Sequence, residues 1–558
     1  MKRHKNIMPN RDNEGSFDYV IVGAGTAGCV LANRLSEDRT NRVCLIEAGP
    51  KDSHPFIHVP ALVAAAMVKP SIVWGYWTVP QQNLNGRRVP IPRGRVLGGT
   101  SSINGMVYMR GNPKDYDDWA AAGNRGWSYA EVLPYFVRSE NNEAFDGSPY
   151  HGKGGPMNVK SIERPNRLNA AFLEAMKSLQ FRRNDDFNGP DNEGYGLRQG
   201  TIRDGYRESE ATAYLKPAMS RPNLKVLTGA LVTRVIVENR RAIGVEFQQS
   251  GETRRVDARR EVIVSGGSIG SPQILMLSGI GDGTALQAQG ISVTHHLPGV
   301  GANLHDHVAT SVQMVTSNST SYGISLKALP RGTWNIFEYL LARKGPFSSN
   351  VFESNAFLKT TDSLDRPNTQ VVFQPARRNQ TTFPLPLGHG FAISVVLLYP
   401  KSRGRIALSS PDPHTAPVID PNILSAPEDF EPLLWGIKLA RRLFATHAFA
   451  RYKATEFLPG PAVEGDDAFR EYIRKTTATV YHPAGTCRMG VDDAAAVTPE
   501  LKVRGIDALR VVDASIFPRL MGGNPNAPVV MIAEKAADMM LGRAPLPPFS
   551  LPRNSQQP

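Results

Sequence analysis

Residues 17–35, FDYVIVGAGTAGCVLANRL, decide the fold. Asp18–Val22 is an apolar, β-branched run typical of a buried strand, and it stops at a glycine-rich turn, GAGTAG. Cys29–Leu35 then has the periodicity of a helix, and Arg42–Ile46 returns to strand character. The order strand, glycine turn, helix, strand predicts a βαβ unit, which is the start of a Rossmann-like α/β domain.

The turn between the first strand and the helix has the chemistry of a dinucleotide site. Gly23 permits the tight turn, Gly25 lets a pyrophosphate approach the backbone, and Gly28 lets the helix pack on the strand. The helix N-terminus offers free N–H groups and a positive dipole end to the phosphates. Glu47 closes the second strand about 20 residues later, where a carboxylate can accept from an adenosine ribose. An acid there favours FAD or NAD over NADP.

Composition and charge narrow the class of protein. The chain has 558 residues, 41% hydrophobic and 21% charged, which excludes a disordered, collagen-like or coiled-coil protein. Cys29, Cys44 and Cys487 are odd in number and lack CxxC spacing, so we expect neither a disulfide framework nor a cysteine-ligated zinc site. The 64 Lys and Arg against 51 Asp and Glu give a formal charge of +13, which allows nucleic acid, an anionic membrane surface or an acidic ligand as partner.

Five motifs in order resemble the glucose-methanol-choline (GMC) family of FAD-dependent alcohol oxidoreductases. They are FDYVIVGAGTAGCVLANRL with IEAGP (17–50), PRGRVLGGTSSINGMVYMRG (92–111), GGSIGSPQILMLSGIG (266–281), YHPAGTCRMG (481–490), and VVDASIFP with GGNPNAP (511–528). Within the family the chain looks most like bacterial FAD-dependent alcohol dehydrogenases acting on aliphatic primary alcohols, with choline dehydrogenases close behind. The segments PQQNLNGR (80–87) and YPKSRGRI (399–406) carry that finer resemblance.

The resemblance implies an α/β plus α+β architecture with two domains. One is a Rossmann-like FAD-binding domain built from discontinuous segments, and the other is a substrate-binding domain that contains an antiparallel sheet. Longer apolar strands and helices in residues 310–475 are consistent with the second domain. The expected boundaries are 1–16 for a disordered arm, 17–160, 215–310 and 478–545 for the FAD-binding domain, 161–214 and 311–477 for the substrate-binding domain, and 546–558 for a Pro-rich tail.

The resemblance also implies which residues hold the cofactor. It assigns Gly23, Gly25, Thr26, Ala27 and Gly28 to the pyrophosphate, Glu47 with Ala48 to the adenosine ribose, Val232 to the adenine, Asp513 and Ala514 to the ribityl-phosphate region, Gly99, Asn104, Gly105, Met106 and Val107 to the isoalloxazine, and Asn526 to the flavin ring. In family members with covalent flavin a histidine occupies the position of Ile103, so the expected cofactor is non-covalent FAD. An alternative for Asn526 is a turn residue in Asn-Pro-Asn.

Oxidation of an alcohol needs a proton acceptor, a hydride acceptor and donors that hold the developing alkoxide. His482 matches the family's active-site histidine, which takes the hydroxyl proton while hydride passes to flavin N5. Asn524 matches the family's second active-site position, where an amide can donate to the substrate oxygen but cannot act as the base. His482 and Cys487 alone do not make a metal site, so no metal is expected.

The leading hypothesis is therefore oxidation of a primary alcohol to an aldehyde, with electrons passed to a quinone or another non-O2 acceptor. The alternatives are a choline dehydrogenase, an O2-using alcohol oxidase, a flavin-containing lyase without net redox, and a basic surface-binding protein with a structural dinucleotide. In choline-specific members an acid near Glu353 pairs with the trimethylammonium group. For Glu353 itself we expect a solvated or structurally paired carboxylate.

The expected partners are a small-molecule alcohol and an electron acceptor at a membrane surface, and no motif predicts nucleic-acid binding. The N-terminal residues are basic but are not followed by an apolar segment, so a secretory signal is not expected. We therefore expect a cytoplasmic protein, or one peripheral at the inner face of the cell membrane, and the sequence leaves the oligomeric state open.

Overall fold

The computed structural model describes residues 13–377 and 388–550. Within them the strands are β1 (Asn13–Val22), β2 (Val43–Glu47), β3 (Tyr76–Trp77), β4 (Pro90–Ile91), β5 (Glu140–Asn142), β6 (Met157–Ser161), β7 (Gly194–Leu197), β8 (Gln199–Gly200), β9 (Ile202–Arg203), β10 (Tyr206–Arg207), β11 (Leu224–Thr228), β12 (Ala230–Glu238), β13 (Arg241–Gln249), β14 (Glu252–Val264), β15 (Ile280–Gly281), β16 (His295–His296), β17 (Val308–Thr316), β18 (Ser354–Leu358), β19 (Thr369–Gln374), β20 (His389–Leu397), β21 (Arg405–Ala407), β22 (Val418–Asp420), β23 (Thr455–Leu458), β24 (Ala478–Thr479) and β25 (Leu509–Val511).

The α-helices connect and cover these strands. They are α1 (Thr26–Leu35), α2 (Pro55–His58), α3 (Val63–Met67), α4 (Pro113–Ala121), α5 (Tyr129–Ser139), α6 (Leu168–Ser178), α7 (Lys216–Ala218), α8 (Gly267–Leu277), α9 (Gly283–Ala288), α10 (Leu329–Ala342), α11 (Phe430–Phe444), α12 (His447–Ala450), α13 (Asp466–Thr476) and α14 (Asn526–Met540). No helix in the described ranges is both long and apolar enough to cross a membrane.

The first sheet contains the predicted βαβ unit. Its parallel strands lie in the order β11-β2-β1-β14-β25, and β13 and β12 extend it as antiparallel strands beyond the first half of β14. All five residues of β2 are buried, as expected for a strand covered on both faces. Because β2 lies on one side of β1 and β14 on the other, the connections diverge at the carboxyl end of β1, which is where open α/β sheets bind ligands.

The second sheet is antiparallel throughout. Its order is β23-β17-β20-β19-β18-β7, and β24 also pairs with β17. Every residue of β20 is buried, and α6, α11 and α13 contribute side chains to the hydrophobic core that it shares. The α/β plus antiparallel architecture confirms the predicted fold class.

Three boundaries differ from the sequence-based expectations. The expected arm at 1–16 overlaps β1, which begins at Asn13, whereas residues 1–12 lie outside the described chain. Residues 261–265, EVIVS, have the strand character of a buried segment, but the observed strand β14 begins earlier, at Glu252, because its charged first half pairs with the antiparallel β13. β24, at Ala478–Thr479, belongs to the second sheet, although it falls in a segment assigned to the FAD-binding domain. The domain boundaries otherwise stay a prediction.

The start of the expected Pro-rich tail packs on α5 and on the loop between β5 and β6. The backbone N–H of Phe549 donates to the carbonyl of Ala130 at 2.8 Å, and the Phe549 ring lies 5.5 Å from that of Tyr150. Residues 551–558 of this segment lie outside the described chain.

Candidate active site

The glycine-rich turn is built so that a ligand can approach only one of its glycines. A Cβ on Gly28 would lie 1.9 Å from the carbonyl oxygen of Gly23, and one on Gly23 would lie 2.5 Å from that of Ser265. At Gly25 the nearest atom would be 4.0 Å away. Gly25 is also the N-cap of α1, and no capping side chain bonds that first turn. The helix start therefore has both the open space and the donors that a pyrophosphate needs.

Glu47 fixes the backbone of this turn. Its Oε2 accepts from the Ala24 N–H at 2.9 Å, and its Oε1 accepts from the Gly49 N–H at 2.8 Å. Burial raises the pKa of Glu47 to about 7, against the opposing effect of these two hydrogen bonds. Ala48, between Glu47 and Gly49, is partly exposed. Their contact with a ribose stays a prediction.

Asp513 joins the ends of β14 and β25. Its Oδ2 accepts from the Gly267 N–H at 2.8 Å and from the Ser271 hydroxyl at 2.5 Å, and its Oδ1 accepts from the Ser515 N–H at 2.7 Å. Ala514, which follows, is partly exposed at the start of a short 3-10 helix. These residues and the glycine turn share the carboxyl edge of the parallel strands.

The segment predicted to flank the isoalloxazine packs on the glycine turn. A Cβ on Gly99 would lie 2.7 Å from the Cα of Gly25. Asn104 accepts at Oδ1 from the Met106 N–H and from Arg207, each at 2.9 Å. Met106 has a positive φ of 52°, a backbone conformation that few non-glycine residues adopt.

Gly105 and Val107, also predicted to flank the isoalloxazine, have different surroundings. A Cβ on Gly105 would lie 3.2 Å from the Phe352 ring, and Val107 is buried in an apolar cluster described below. Val232 lies apart from this segment, buried in β12 opposite Phe247. The structure thus brings Gly99 and Gly25 together, while the contact of Val232 with adenine stays a prediction.

The start of α14 is tied to the start of α1. Thr26 donates to the Asn526 Oδ1 at 2.9 Å, and the Asn526 side-chain amide donates to the Glu210 Oε1 at 2.7 Å. Ala27, the next residue of α1, is buried. The side chain of Asn526 is therefore engaged with protein groups, and its predicted contact with the flavin ring stays a prediction. Glu210 is buried beside both helices, and it lies in none of the sequence motifs that identified the other site residues.

His482 lies in a hydrogen-bonded row of side chains. Its Nδ1 is 2.9 Å from the Nδ1 of His307, and its Nε2 is 3.1 Å from the side-chain nitrogen of Asn524. The two imidazole rings meet edge to face, with centroids 5.2 Å apart. The backbone N–H of His482 donates to Asp306 at 2.7 Å. The two predicted catalytic residues are therefore in direct contact, 42 residues apart in sequence.

The partners of His307 determine where the protons of this row lie. The Nε2 of His307 is 2.9 Å from the Leu398 carbonyl oxygen, which can only accept, so this Nε2 carries a proton. Burial lowers the pKa of His307 to about 4, so the ring is neutral and its Nδ1 is an acceptor. The Nδ1 of His482 must then carry the proton that bridges the two rings. This leaves an unprotonated Nε2 on His482, beside the Asn524 amide.

The charges around His482 favour its neutral form. Burial, followed by His307, Arg93 and Arg198, holds the pKa of His482 well below its usual range. Arg93 donates to the carbonyl oxygen of Tyr481 at 2.6 Å, and so supports the loop just before His482.

Asp306 supports the same loop from the other side. It accepts from the Thr479 hydroxyl at 2.5 Å as well as from the His482 backbone. Burial raises its pKa to about 7. Asp306, His307, Arg93 and Arg198 were not among the site residues expected from the sequence. The local signals for these residues were the clustering of polar residues in HDH, at 305–307, and the position of Arg93 in the motif at 92–111.

Apolar side chains form the wall beside the histidine pair. One buried cluster contains Val107, Met109, Phe187, Phe357 and Leu398, whose carbonyl binds His307, and a second contains Ala309, Val372 and Val396. Phe352 packs against both clusters. No group of three or more His, Cys, Asp or Glu side chains in the described residues is placed to hold a metal ion.

Glu353 follows Phe352 in the chain but is saturated by protein donors. Its Oε1 accepts from the hydroxyls of Tyr322 at 2.9 Å and Ser349 at 2.6 Å. Its Oε2 accepts from the Asn166 N–H at 2.8 Å and the Asn169 side-chain amide at 2.5 Å. Burial raises the pKa of this carboxyl. Glu353 is therefore structurally paired, one of the two outcomes expected for it.

A glycine cradle for a dinucleotide, with a neutral imidazole held beside it, is typical of a flavin-dependent oxidoreductase. The chain belongs to the GMC oxidoreductase family: its N-terminal model matches residues 17–309 and its C-terminal model matches residues 400–533. The cofactor is FAD, and the open helix start at Gly25 fits the pyrophosphate of that group. The predicted family and the predicted FAD are confirmed, while the non-covalent binding of the FAD stays a prediction.

Known relatives extend over nearly the whole chain. It is 44% identical to an alcohol dehydrogenase (acceptor) of Pseudomonas putida over 527 residues, which cover 94% of this chain and 96% of that protein. It is also 44% identical to an oxygen-dependent choline dehydrogenase of Rhizobium etli, with 97% of each chain covered.

Solved structures agree with this relationship. The fold is similar to that of pyridoxine 4-oxidase from Mesorbium loti, with a TM-score of 0.85, 32% identity, and coverage of 95% of this chain and 100% of that chain. It is also similar to formate oxidase from Aspergillus oryzae, with a TM-score of 0.89, 26% identity, and coverage of 95% and 98%.

Proposed function

We propose that the protein oxidises a primary alcohol to an aldehyde, with His482 as the base. The observation that carries this proposal is the row from the Leu398 carbonyl through His307 to His482, because it leaves a lone pair on the His482 Nε2. The Asn524 amide lies 3.1 Å from that nitrogen, where it can donate to the oxygen of an alcohol. A base and an oxyanion donor at one place are what alcohol oxidation requires of the protein.

In the proposed reaction the alcohol carbon loses a hydride and the hydroxyl group loses a proton. The flavin, when bound, supplies the hydride acceptor at N5. His482 takes the hydroxyl proton at Nε2, and Asn524 stabilises the alkoxide character that develops on the oxygen. The imidazolium that forms keeps its Nδ1–H bonded to His307. Arg93 and Asp306 hold the His482 loop in place while the proton moves.

The proposed cofactor site combines the residues at the carboxyl edge of the first sheet. The residues that would hold FAD are Gly23, Gly25, Thr26, Ala27, Gly28, Glu47, Ala48, Gly99, Asn104, Gly105, Met106, Val107, Val232, Asp513, Ala514 and Asn526. We propose that the FAD is non-covalent. Ile103, at the position of the linking histidine in other members, has no nucleophilic atom and is buried among Ile57, Ile72 and Val96.

The proposed substrate has an apolar chain. The wall beside His307 and His482 consists of the two apolar clusters that meet at Phe352. A quaternary ammonium substrate such as choline would need a free carboxylate or an aromatic cage. The four donors that saturate Glu353 make it unsuitable for that role. Because Glu353 offers no free carboxylate, we infer an alcohol with an apolar chain rather than choline as the substrate.

The experiment is an anaerobic screen of alcohols, with choline included, that follows loss of the oxidised flavin absorbance. We expect primary alcohols with apolar chains to bleach the flavin, and choline to bleach it more slowly. The variant His482→Ala should lower the rate of bleaching by about 10²- to 10⁴-fold with FAD still bound, since this is the usual contribution of a general base. His447→Ala, an exposed histidine on α12, is the matched control.

Four results would overturn parts of this proposal. Near-normal bleaching by His482→Ala would remove the base assignment. Choline as the best substrate would remove the argument from the apolar wall. Rapid peroxide formation in air without an added acceptor would replace the quinone or other non-O2 acceptor by O2, as in an oxidase, and flavin that no alcohol bleaches would favour the lyase.

A further inference from the structure

Helix α10 exposes an apolar face. Tyr339 is the only buried residue among its 14, whereas Trp334 is 66% exposed and Leu341 is 85% exposed. At about 100° per residue, the exposed large apolar residues of the helix fall within an arc of about 160° that contains no charged side chain. These residues are Leu329, Trp334, Ile336, Phe337, Leu340 and Leu341. An ordinary surface helix turns such a face to the core, so this helix is built to bury it against something else.

The exposed apolar residues are concentrated at this one place. Ile324 and Leu326, just before the helix, are also exposed, and together with the six residues above they form what we call the α10 patch. The patch holds eight of the fifteen exposed large hydrophobic residues in the described chain, within 18 positions. Single exposed apolar residues need no explanation, but a contiguous group of this size is typical of an interaction surface.

Positive charge borders the α10 patch. Residues 320–348 contain Lys327, Arg331, Arg343 and Lys344, and their single acid is Glu338. Glu338 is paired with a further cation, Arg164, at 2.7 Å. A broad apolar face bordered by Lys and Arg is the pattern of helices that lie in the interface of an anionic bilayer.

We propose that the α10 patch docks on an anionic lipid bilayer surface. A second copy of the chain fits less well, because a two-fold dimer through this face would bring the flanking cations of the two copies towards one another. A bilayer satisfies both features at once, since its acyl region takes the apolar side chains and its phosphate groups take the flanking cations. The net charge of +13 is consistent with attraction to an anionic surface.

The chain from α10 leads directly to the candidate active site. A short 3-10 helix, Pro346–Ser348, follows α10, and Asn350 then donates to the Gly105 carbonyl at 2.9 Å. Phe352, two residues further on, belongs to the apolar wall beside the histidine pair. Docking would therefore bring the wall of the site close to the phase in which an apolar alcohol and a quinone dissolve, a consequence that rests on the proposed function.

The test is co-flotation of the holoenzyme with vesicles of phosphatidylcholine, either alone or mixed with phosphatidylglycerol. The wild type should float with the phosphatidylglycerol vesicles at low salt, and added salt should weaken the association because it screens the flanking cations. The double variant F337S/L341S should bind the phosphatidylglycerol vesicles at least about tenfold more weakly, since two apolar side chains no longer enter the lipid. The matched control F457S/V491S, which removes two exposed apolar residues elsewhere, should float like the wild type.

A second readout locates the contact. Lipids with brominated acyl chains should quench part of the tryptophan fluorescence; this quenching should disappear in Trp334→Phe and persist in Trp77→Phe, although both residues are more than half exposed. Wild type that stays in solution with anionic vesicles at low salt would overturn the proposal. Equal flotation of F337S/L341S would also overturn it.

Two further measurements distinguish lipid docking from a dimer interface and from a failure of the proposed alcohol oxidation. If size-exclusion chromatography shows a wild-type dimer that F337S/L341S converts to a monomer, with no vesicle binding, the patch is an interface between copies and the lipid proposal is wrong. Anaerobic bleaching by an alcohol, measured without vesicles, should be the same in the wild type and F337S/L341S. Its failure in both would refute the proposed function and leave the vesicle result intact.

Discussion

Replacement of His307 tests how the base is prepared. In His307→Leu the Nδ1–H of His482 loses its acceptor in a buried place, which costs about 1–3 kcal/mol if the proton stays there. The ring can avoid this cost by moving the proton to Nε2, where it blocks the lone pair that takes the substrate proton. At about 1.4 kcal/mol per factor of ten, the population of the active tautomer should fall about 5- to 150-fold. The rate constant for flavin reduction should fall by the same factor.

The assay is anaerobic stopped-flow reduction of the bound FAD at saturating alcohol. His307→Asn is the matched variant, because its Oδ1 can take the place of the ring Nδ1 as an acceptor, and it should recover most of the rate. The fall for His307→Leu should also be smaller than that for His482→Ala. A wild-type rate in His307→Leu would refute the reasoning, as would a His307→Asn variant as slow as His307→Leu with the same FAD content.

Three other predictions follow from the geometry of the site. Gly25→Ala should fold but lose FAD, measured as flavin absorbance per protein, because its Cβ would fill the ligand side of the turn. Gly28→Ala should fail to fold, because its Cβ would lie 1.9 Å from a backbone oxygen. Equal FAD content in the two variants would contradict these different roles of the glycines. Glu353→Gln should lower the free energy of unfolding by about 1–3 kcal/mol, since one amide nitrogen must face donors; unchanged denaturant unfolding would argue against the four-donor arrangement. Because the pKa of His482 lies well below the usual value, and the base is active only when deprotonated, the rate of flavin reduction should persist as pH falls through about 6.5 and be lost only at lower pH. A midpoint of this loss at or above that pH would contradict the proton arrangement.

The parts of the fold that the sequence predicts are those with local signals. The βαβ unit was predictable because its apolar strands, its glycine turn and its periodic helix each leave a local signal in the sequence. The first half of β14 was not, because four of the six residues in Glu252–Asp257 are charged and form a partly exposed antiparallel extension. Such a strand is stabilised by its neighbour β13, which sequence periodicity does not show.

The candidate site likewise contains residues that local motifs predict and residues that only long-range contacts bring in. His482 and Asn524 were found because they lie in motifs, whereas His307 was missed because its contact with His482 spans 175 residues. Glu210 was missed for a similar reason, since it reaches Asn526 across 316 residues. Glu353 shows the opposite limit: its position suggested a choice between a ligand and a structural role, and only its four donors distinguish them.

The histidine row also joins the two sheets of the molecule. His307 immediately precedes β17, and Leu398 immediately follows β20, its antiparallel neighbour in the second sheet. His482 lies in the segment that leads from β24 to β25 of the first sheet, and Asn524 lies between β25 and α14. The reactive lone pair is therefore a property of the assembled halves, and neither half alone would contain an activated base. A chimera that exchanges the second sheet to change substrate preference should keep activity only if it retains the histidine before β17 and the backbone carbonyl after β20.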